Sequence, residues 1–347
     1  MTRPRPGPTD SIVDVPGVRV GQVSIGAGPE TPNGSTGVTA VVVRSGALGA
    51  IDVRGGAPGT RESETLAATR SGERVHAVLL VGRSVFGLAA ADGATNELEE
   101  RGIGIVVERE EGRLVFPIVP AAVIFDALHG DPAIRPSAED GRRAVAAALD
   151  GSGAEPARPA SGTAGAGTGA SIGGLVGDRR KGGVGHASLA VVTGAHGAGQ
   201  GRRLIVGALV VVNSAGGPAR RGRHALLDPR RRPRPIPAFE TISSSRGQTT
   251  LAVIATNARL SKAQLAHVAT MAHDGFARAI EPVHTGVDGD LAICLAIPDG
   301  DDAPAVDVHE WPPAATSIVG AMAADAVERA IADALRSATA SGGLEPI

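Results

Sequence analysis

A polar, arginine-rich segment changes to an apolar one at the stretch Ser243-Ser-Ser-Arg-Gly-Gln-Thr-Thr-Leu-Ala-Val-Ile-Ala-Thr-Asn257. Before it, Arg220 to Arg234 contains seven arginines and is interrupted by prolines, which is typical of a solvated loop. Within it, Leu251 to Ala255 is an apolar run of strand length. The sequence therefore predicts an exposed loop over 218–247 that leads directly into a buried strand.

Other segments predict a mixture of strands and helices. Short β-branched runs bounded by Gly, Pro or charged residues predict strands at 37–43, 75–81, 114–119, 188–192 and 204–212. Apolar residues at helical spacing predict helices over Phe86 to Arg101, Ser261 to Ile280 and Thr316 to Ser337. Gly102 is a candidate C-terminal cap and Ser261 a candidate N-cap. The lack of strict strand–helix alternation favours a layered α/β sandwich over a Rossmann-type sheet.

The composition limits the classes of partner. The chain has 347 residues, with 34 Lys and Arg against 36 Asp and Glu. The resulting formal net charge of −2 does not draw the chain to nucleic acid or to an anionic membrane. Aromatic residues make up only 2%, which argues against surfaces for base stacking. We therefore expect neither a nucleic-acid partner nor a membrane partner.

Targeting signals and cysteines are sparse. The N-terminus has no apolar segment of signal-peptide type, so a flexible tail over 1–12 and a cytoplasmic protein are expected. The one cysteine, Cys294, excludes an intramolecular disulfide and a zinc–thiolate cluster. Because it lies in the apolar run 291–297, Cys294 is expected to be a buried, unreactive side chain.

Several common catalytic motifs are missing. No His-Glu-x-x-His zinc motif is present, and Ser84 lacks the Gly-x-Ser-x-Gly spacing of a nucleophile elbow. Gly165-Ala-Gly-Thr-Gly169 has neither the Lys-Ser/Thr pair of a phosphate loop nor a dinucleotide-binding register. Phosphate-loop and dinucleotide-binding functions are therefore disfavoured.

Four polar residues stand at the ends of predicted strands. Thr249 directly precedes one strand, and Asn213 follows the apolar strand 204–212. Asp288 and Asp290 lie on a turn before the strand that contains Cys294. Taken singly, each has an ordinary explanation as a strand, turn or loop residue. Their combination suggests a site.

With the sequence around them, these residues carry a resemblance to a known family. The sequence resembles the P1 peptidases, the S58 group of self-processing aminopeptidases and amide hydrolases, which includes β-aminopeptidases and nylon-oligomer hydrolases. The resemblance covers nearly the whole chain. It is carried by Asp14-Val-Pro-Gly-Val-Arg-Val-Gly21, Asp52-Val-Arg-Gly-Gly-Ala-Pro-Gly59, Phe86-Gly-Leu-Ala-Ala-Ala-Asp-Gly93, Gly165 to Ala170, Lys181-Gly-Gly-Val-Gly185, Val206 to Asn213, Thr249 to Asn257, Met271 to Ile280, Pro282-Val-His-Thr285 and Asp288-Gly-Asp290.

The resemblance implies a four-layer αββα sandwich, of a type shared with ornithine acetyltransferases and similar to the N-terminal-nucleophile hydrolases. It implies self-cleavage between Gln248 and Thr249 within one composite domain. The sandwich part of the α chain would be 13–248, and the β chain would be 249–347. Thr249 would become the nucleophile. Its freed α-amine, with an ordinary pKa of about 7.7–8.0, would accept the hydroxyl proton.

The same resemblance assigns roles to three further residues. Asp288 and Asp290 match the acidic pair of the family's Thr-type members and would orient the hydroxyl and the amine of Thr249. Asn213 matches the family's asparagine, whose amide would donate a hydrogen bond to the oxyanion. Loss of such a donor typically lowers the rate by about 10²–10³-fold.

The sequence departs from the family pattern at three positions. Gly174 stands where relatives often have a lysine, and two alternatives are open for Lys181: it replaces that lysine, or it anchors the glycine turn. Phe125 stands in the presumed substrate cleft where nylon-oligomer hydrolases have a tyrosine. Gln248 precedes the scissile bond where Asn or Gly is more usual, which raises the alternative of slower or absent processing.

The function implied by the resemblance is hydrolysis of small peptides or peptide-like amides, without a metal or organic cofactor. The family resemblance also implies a homotetramer or a larger assembly. Two alternatives are an acyl transferase like the ornithine acetyltransferases and an unprocessed, non-enzymatic relative. Aminopeptidase and 6-aminohexanoate-oligomer hydrolase specificities are not separated by the sequence.

Overall fold

The computed structural model describes residues 3–26, 36–72, 74–151, 157–193, 202–219, 247–297, 306–307 and 315–347. The predicted Arg/Pro-rich loop over 218–247 lies mostly outside these residues. Within them, no helix is both long enough and apolar enough to span a membrane.

Four α-helices and seventeen strands lie in the described part of the chain. The helices are α1 (Ala90–Glu100), α2 (Ala138–Asp150), α3 (Lys262–Ala279) and α4 (Ala315–Arg336). The strands are β1 (Val18–Ile25), β2 (Thr36–Val53), β3 (Thr60–Arg61), β4 (Val75–Val81), β5 (Ile105–Arg109), β6 (Gly112–Phe116), β7 (Ala121–Val123), β8 (Ser171–Ile172), β9 (Arg180–Lys181), β10 (Gly183–Thr193), β11 (Arg202–Val212), β12 (Gly217–Pro218), β13 (Leu251–Thr256), β14 (Ala258–Arg259), β15 (Ile280–Glu281), β16 (Leu291–Ala296) and β17 (Val306–Asp307).

The long strand β2 belongs to two sheets. Its first half pairs with β1 and β4, and its second half pairs antiparallel with β16. The register with β4 shifts between Val42 and Ala47, where Gly46 adopts a φ of 73°. A bulge of this kind bends a strand and increases its twist, so one strand can pass from one sheet to the other. The hydrogen-bonded path of strands runs β10-β11-β13-β16-β2-β4-β7-β3, with β1 paired to β2. We call its part from β10 to β2 the first sheet, and β1, β2, β4, β7 and β3 the second sheet.

Alternating side chains of the central strands build two different cores. On β13, Leu251, Val253 and Ala255 belong to the core between the two sheets, whereas Ala252 and Ile254 belong to the core under α3 and α4. Strand β16 alternates in the same way. Because both faces of these strands are covered, β16 is apolar at every position and β13 at every position except its last, Thr256.

The helices form the two outer layers. Helices α3 and α4 pack on the first sheet, while α1 and α2 cover the second sheet around a third core. The order of layers is therefore helix, sheet, sheet, helix. This confirms the prediction of a four-layer αββα sandwich.

The predicted helix ends agree with the structure in detail. Ser261 caps α3 by accepting a hydrogen bond from the backbone N–H of Gln264, whose side chain accepts from the Ser261 N–H. Gly102, with a φ of 68°, follows the end of α1. Helix α4 matches the predicted segment 316–337 to within one residue at each end.

Three predictions need correction. Residues 3–12 are not a free tail: Arg5 bridges Ala190, and Ile12 is fully buried in the core between the sheets. The predicted strand 114–119 ends at Phe116 as part of an exposed β5–β6 hairpin. The segment predicted as a helix from Phe86 begins instead with a 3-10 turn over Ser84–Ala89, which leaves Phe86 exposed. Helix α2 was missed, although Ser137 and Asp140 form its capping box.

Candidate active site

The strand order brings Thr249 beside two distant parts of the chain. Strand β13 lies between β11, which runs antiparallel to it, and β16, which runs parallel. Val211 is paired with Leu251, and Leu251 with Leu291. The residues that end β11 and those that precede β16 therefore meet at the start of β13. Asn213, Thr249 and Asp290 stand at these positions.

The peptide bond between Gln248 and Thr249 is enclosed. Only 4% of Thr249 is exposed. The Thr249 hydroxyl donates a hydrogen bond to the carbonyl oxygen of Gln248 at 2.6 Å. The backbone N–H of Gly289 donates to the same oxygen at 2.8 Å, and the Thr249 N–H donates to the Asn213 carbonyl at 2.5 Å. The hydroxyl, the carbonyl and a backbone donor are thus gathered at one bond.

Gly289 is required where the chain passes Thr249. A Cβ atom at this position would lie 2.6 Å from the Thr249 hydroxyl oxygen and 2.7 Å from the Ala57 carbonyl oxygen. Both distances are too short for a side chain. The Asp-Gly-Asp pattern therefore combines two acidic residues with one close approach of backbone to the threonine.

The carboxylate of Asp288 is buried and accepts three hydrogen bonds. Its donors are the Ala215 N–H at 3.1 Å, the Thr285 N–H at 3.0 Å and the Thr285 hydroxyl at 2.5 Å. Burial, together with the charge of nearby Asp290, raises the pKa of Asp288 to about 6, and the hydrogen bonds from Thr285 act in the opposite direction. Asp288 therefore fixes the loop that carries Gly289.

The carboxylate of Asp290 is fully buried. It accepts from the Thr250 N–H at 2.7 Å and from the His284 N–H at 3.1 Å, and one of its oxygens lies 2.8 Å from the ring Nδ1 of His284. The contacts of Asp288 and Asp290 in the described chain do not include a hydrogen bond from Thr249 itself. In the uncut chain, both carboxylates hold the backbone around the threonine.

The side chain of Asn213 connects two loops. Its amide oxygen accepts from the Ser171 N–H at 2.9 Å, and its amide nitrogen donates to the Phe125 carbonyl at 3.1 Å. The donor that reaches the Gln248 carbonyl in the intact chain is the Gly289 N–H rather than this amide. The role of Asn213 at a substrate oxyanion stays a prediction.

Phe125 lies against the residue that precedes Gln248. Gly247 has a φ of 26°, and a Cβ there would lie 2.8 Å from the Phe125 ring carbon Cγ. The half-buried ring therefore packs closely against the chain just before the candidate cleavage site. This position is compatible with the predicted contact to substrate.

Lys181, on β9, is buried. Its ammonium donates to the carbonyl oxygens of Gly167, Ala170 and Gly182 at 2.8, 2.9 and 3.1 Å. Burial lowers the pKa of Lys181 to about 7. All three ammonium hydrogens have backbone acceptors, an arrangement that corresponds to the alternative in which Lys181 anchors the glycine turn.

The space beside Gly174 is occupied by another cation. A Cβ at this position would lie 2.7 Å from a guanidinium nitrogen of Arg179. The same guanidinium contacts the ring Nε2 of His129 at 3.1 Å. The structure therefore places Arg179, not Lys181, against the position where relatives often have a lysine.

Sequence reasoning missed four groups of the site: Ser171, His284, Thr285 and the Gly289 N–H. His284 and Thr285 belong to the stretch Pro282-Val-His-Thr285, whose sequence alone indicates no role for either residue. Gly289 offered no signal beyond its place between two aspartates, because a backbone donor has no side-chain signature. Within the described residues, no group of three His, Cys, Asp or Glu side chains is arranged to hold a metal ion.

Comparisons with known proteins agree with this geometry. The model of peptidase family S58 matches residues 10–346. An uncharacterised aminopeptidase of Mycobacterium leprae is 40% identical, and the alignment covers 97% of this chain and 93% of that protein. The 6-aminohexanoate-oligomer endohydrolase of Paenarthrobacter ureafaciens is 30% identical, with 83% of this chain and 75% of that protein covered.

Solved structures show the same fold. A β-aminopeptidase of a Burkholderia species superposes with a TM-score of 0.69 at 26% identity, covering 99% of this chain and 92% of that chain. The L-aminopeptidase D-Ala-esterase/amidase of Ochrobactrum anthropi, described as a variant of the Ntn hydrolase fold, superposes with a TM-score of 0.71 at 20% identity. That alignment covers 100% of this chain and 93% of that chain. The chain therefore belongs to peptidase family S58 and is a hydrolase with the fold of the Ntn-hydrolase aminopeptidases.

Proposed function

We propose that the chain cuts itself between Gln248 and Thr249 and then hydrolyses small peptides or linear amides through the hydroxyl of Thr249. The observation that carries this proposal is the 2.6 Å contact between that hydroxyl and the Gln248 carbonyl oxygen, inside a site closed to solvent. The named relatives support the substrate class, since they are aminopeptidases and 6-aminohexanoate-oligomer endohydrolases.

Self-cleavage begins with attack of the Thr249 oxygen on the Gln248 carbonyl carbon. The C–O bond forms, the C–N bond breaks, and the hydroxyl proton ends on the Thr249 nitrogen. The Gly289 N–H, 2.8 Å from the carbonyl oxygen, stabilises the negative charge that develops there. Water then hydrolyses the ester, which leaves a carboxylate on Gln248 and a free hydroxyl and α-amine on Thr249.

Substrate hydrolysis reuses the same atoms. The freed α-amine accepts the Thr249 hydroxyl proton as the oxygen attacks the substrate carbonyl. It passes this proton to the leaving amine, and water releases the acyl group from the ester. The Asn213 carbonyl, which accepts from the Thr249 nitrogen at 2.5 Å in the intact chain, is placed to hold the amine. The Phe125 ring packs against Gly247, so it would contact the substrate once the new C-terminus at Gln248 has left the site.

The test is the mass of the purified protein under denaturing conditions. We expect two species, 1–248 and 249–347, for the wild type and for Thr249→Ser, which keeps the hydroxyl. Thr249→Ala is expected to stay at the full 347 residues, because it lacks the attacking oxygen. A wild-type chain that remains uncut after long incubation, or an alanine variant that is cut, would overturn the proposal.

A further inference from the structure

Two histidines connect Asp290 to the end of β2. The ring Nδ1 of His284 lies 2.8 Å from an Asp290 carboxylate oxygen. The ring Nε2 of His284 lies 3.1 Å from the Nδ1 of His273 on α3. The Nε2 of His273 lies 3.1 Å from the Asp52 carbonyl oxygen and 3.7 Å from an Asp52 carboxylate oxygen. The four ring nitrogens therefore form one continuous line of contacts.

The two ends of this line fix the number of protons in it. As a carboxylate, Asp290 can only accept hydrogen bonds, and the same is true of the Asp52 carbonyl, so the nitrogen that faces each of them must carry a hydrogen. The central contact between His284 and His273 needs one hydrogen more. Three hydrogens on two imidazole rings mean that one ring is a cationic imidazolium, since two neutral rings carry only two.

The surroundings decide which ring carries the charge. His273 is 2% exposed, stacks on Phe276 with ring centroids 4.9 Å apart, and has a pKa lowered to about 4 by burial and by His284. A neutral His273 donates from Nε2 to Asp52 and accepts at Nδ1. His284 is then protonated on both nitrogens and forms an ion pair with Asp290.

The backbone conformation of His284 supports a role in holding Asp290. Its φ is 56°, a left-handed conformation that is uncommon for residues other than glycine. This conformation lets the N–H and the ring Nδ1 of His284 donate to the same oxygen of Asp290. Strained residues of this kind concentrate at functional sites.

Charged and titratable groups face the pair from several elements. Asp288 and Asp290 lie on the segment before β16, and Cys294 lies on β16 itself, close to Asp52. Asp52 and Arg54 come from the end of β2. On α3, Thr270 donates to the Asp52 carboxylate, and Phe276 covers His273.

We propose that His284 and His273 share one proton, which pairs with Asp290 and keeps its carboxylate fixed beside Thr249. Both histidines are positioning residues, because they act on the reacting atoms only through Asp290 and the backbone that it holds. The kinetic part of this inference rests on the proposed function of Thr249, whereas the count of protons does not.

The proposal predicts loss of activity on the alkaline side. When the shared proton is lost at higher pH, the two rings carry only two hydrogens for the three contacts Asp290–His284, His284–His273 and His273–Asp52. In one of these contacts two lone pairs then face each other, and Asp290 no longer has a cationic partner. The hydrolysis rate therefore falls as the pair is deprotonated.

The proton count is tested directly in the wild-type protein labelled with ¹⁵N-histidine. Long-range ¹H–¹⁵N spectra at pH 7, assigned with His273→Gln and His284→Asn, are expected to show His284 as an imidazolium and His273 as a neutral ring protonated at Nε2. Two neutral rings at pH 7 would overturn the proposal. This readout needs no activity of Thr249, so it separates failure of this inference from failure of the proposed function.

The kinetic test compares His273→Gln with His273→Leu. Glutamine keeps one acceptor and one donor about as far apart as the two ring nitrogens, whereas leucine removes both. We expect His273→Leu to move the alkaline limb of the kcat profile to lower pH by about one unit and to lower kcat about tenfold, with KM within about twofold. His273→Gln is expected to stay close to the wild type.

His186→Asn is the matched control, since His186 is also buried and also contacts a backbone carbonyl, that of Ala160, but has no described contact with the site. This control variant is expected to have the alkaline limb of its kcat profile at the same pH as the wild type. If the alkaline limbs of His273→Gln and His273→Leu lay at the same pH, the proposal would be overturned. If the leucine variant does not fold, the spectra of the wild type still decide the proton count.

Discussion

Around Thr249, the two aspartates contact the side chains of Thr285 and His284 and also accept hydrogen bonds from backbone N–H groups close to the scissile bond. Asp288 holds Thr285 and Ala215, and Asp290 holds Thr250. Between the two aspartates, the Gly289 N–H reaches the Gln248 carbonyl. At the residue scale, the carboxylates therefore act by placing a backbone donor at the scissile bond.

This arrangement predicts the pH dependence of self-cleavage. The pKa of Asp288 is raised to about 6, so its ionised form is present above that pH and is lost as the pH falls through it. A protonated Asp288 holds Thr285 and Ala215 less firmly, and the Gly289 donor loosens with them. The cleavage rate, followed by intact mass after mixing at different pH, is expected to be half-maximal near pH 6, to level off at higher pH and to decline at lower pH.

Thr285→Val sharpens this test. The Thr285 hydroxyl lowers the pKa of Asp288 by donating to its ionised form. Without the hydroxyl, the midpoint of the cleavage profile should move to higher pH by roughly half a unit to one unit. A midpoint that stays in place or moves to lower pH would contradict a role for the ionised carboxylate.

At the element scale, helices α1 and α2 cross at two glycines. A Cβ on Gly141 would collide with the Ala90 carbonyl oxygen, and one on Gly93 would collide with the Ala138 carbonyl oxygen. The missing side chains let the two backbones approach closely. This crossing holds the outer layer of the second sheet, on the opposite side of the sandwich from α3 and α4.

Gly141→Ala is therefore expected to destabilise the fold. Alanine normally favours a helix by about 1 kcal/mol over glycine, but overpacking here should reverse the sign and cost about 1–3 kcal/mol. Thermal or urea denaturation measures the change. Gly72→Ala is the control, because its Cβ would meet only ordinary contacts, 3.5 Å away or more. Equal stability of the two variants would show that the helices can separate without cost.

At the scale of the whole molecule, the proposed cut falls in the middle of the sandwich. Strand β13, which begins two residues after the cut, is paired on both sides and is buried at every position. Helices α3 and α4 follow this strand in the β chain. They pack on the first sheet, which also contains strands of the α chain, and the side chains of both chains form one core. The two chains therefore share one continuous core.

We accordingly expect the cleaved chains to stay together. Native mass spectrometry should report one α chain for every β chain, while denaturing conditions separate them. A free 249–347 fragment under native conditions would contradict this expectation. Assembly into a homotetramer or a larger oligomer stays a prediction, and the same measurement reports the number of copies.

Local patterns determined much of this protein. The apolar runs and their spacing predicted the central strands, α3, α4 and the layered class, because these depend on periodicity along a short piece of chain. Likewise, Asn213, Thr249, Asp288 and Asp290 were found at strand ends. They meet because the order of β11, β13 and β16 brings those ends to one edge.

Only the tertiary structure decided the partners of each group. The burial of Ile12, the Gly289 donor, the contacts of Lys181 and the line from Asp290 through His284 and His273 join residues far apart in the chain or backbone groups without a side-chain signal. Such contacts depend on how layers pack, and periodicity does not encode them. The sequence by itself therefore determined the layers and the candidate site residues, while packing decided which atoms surround the Thr249 hydroxyl.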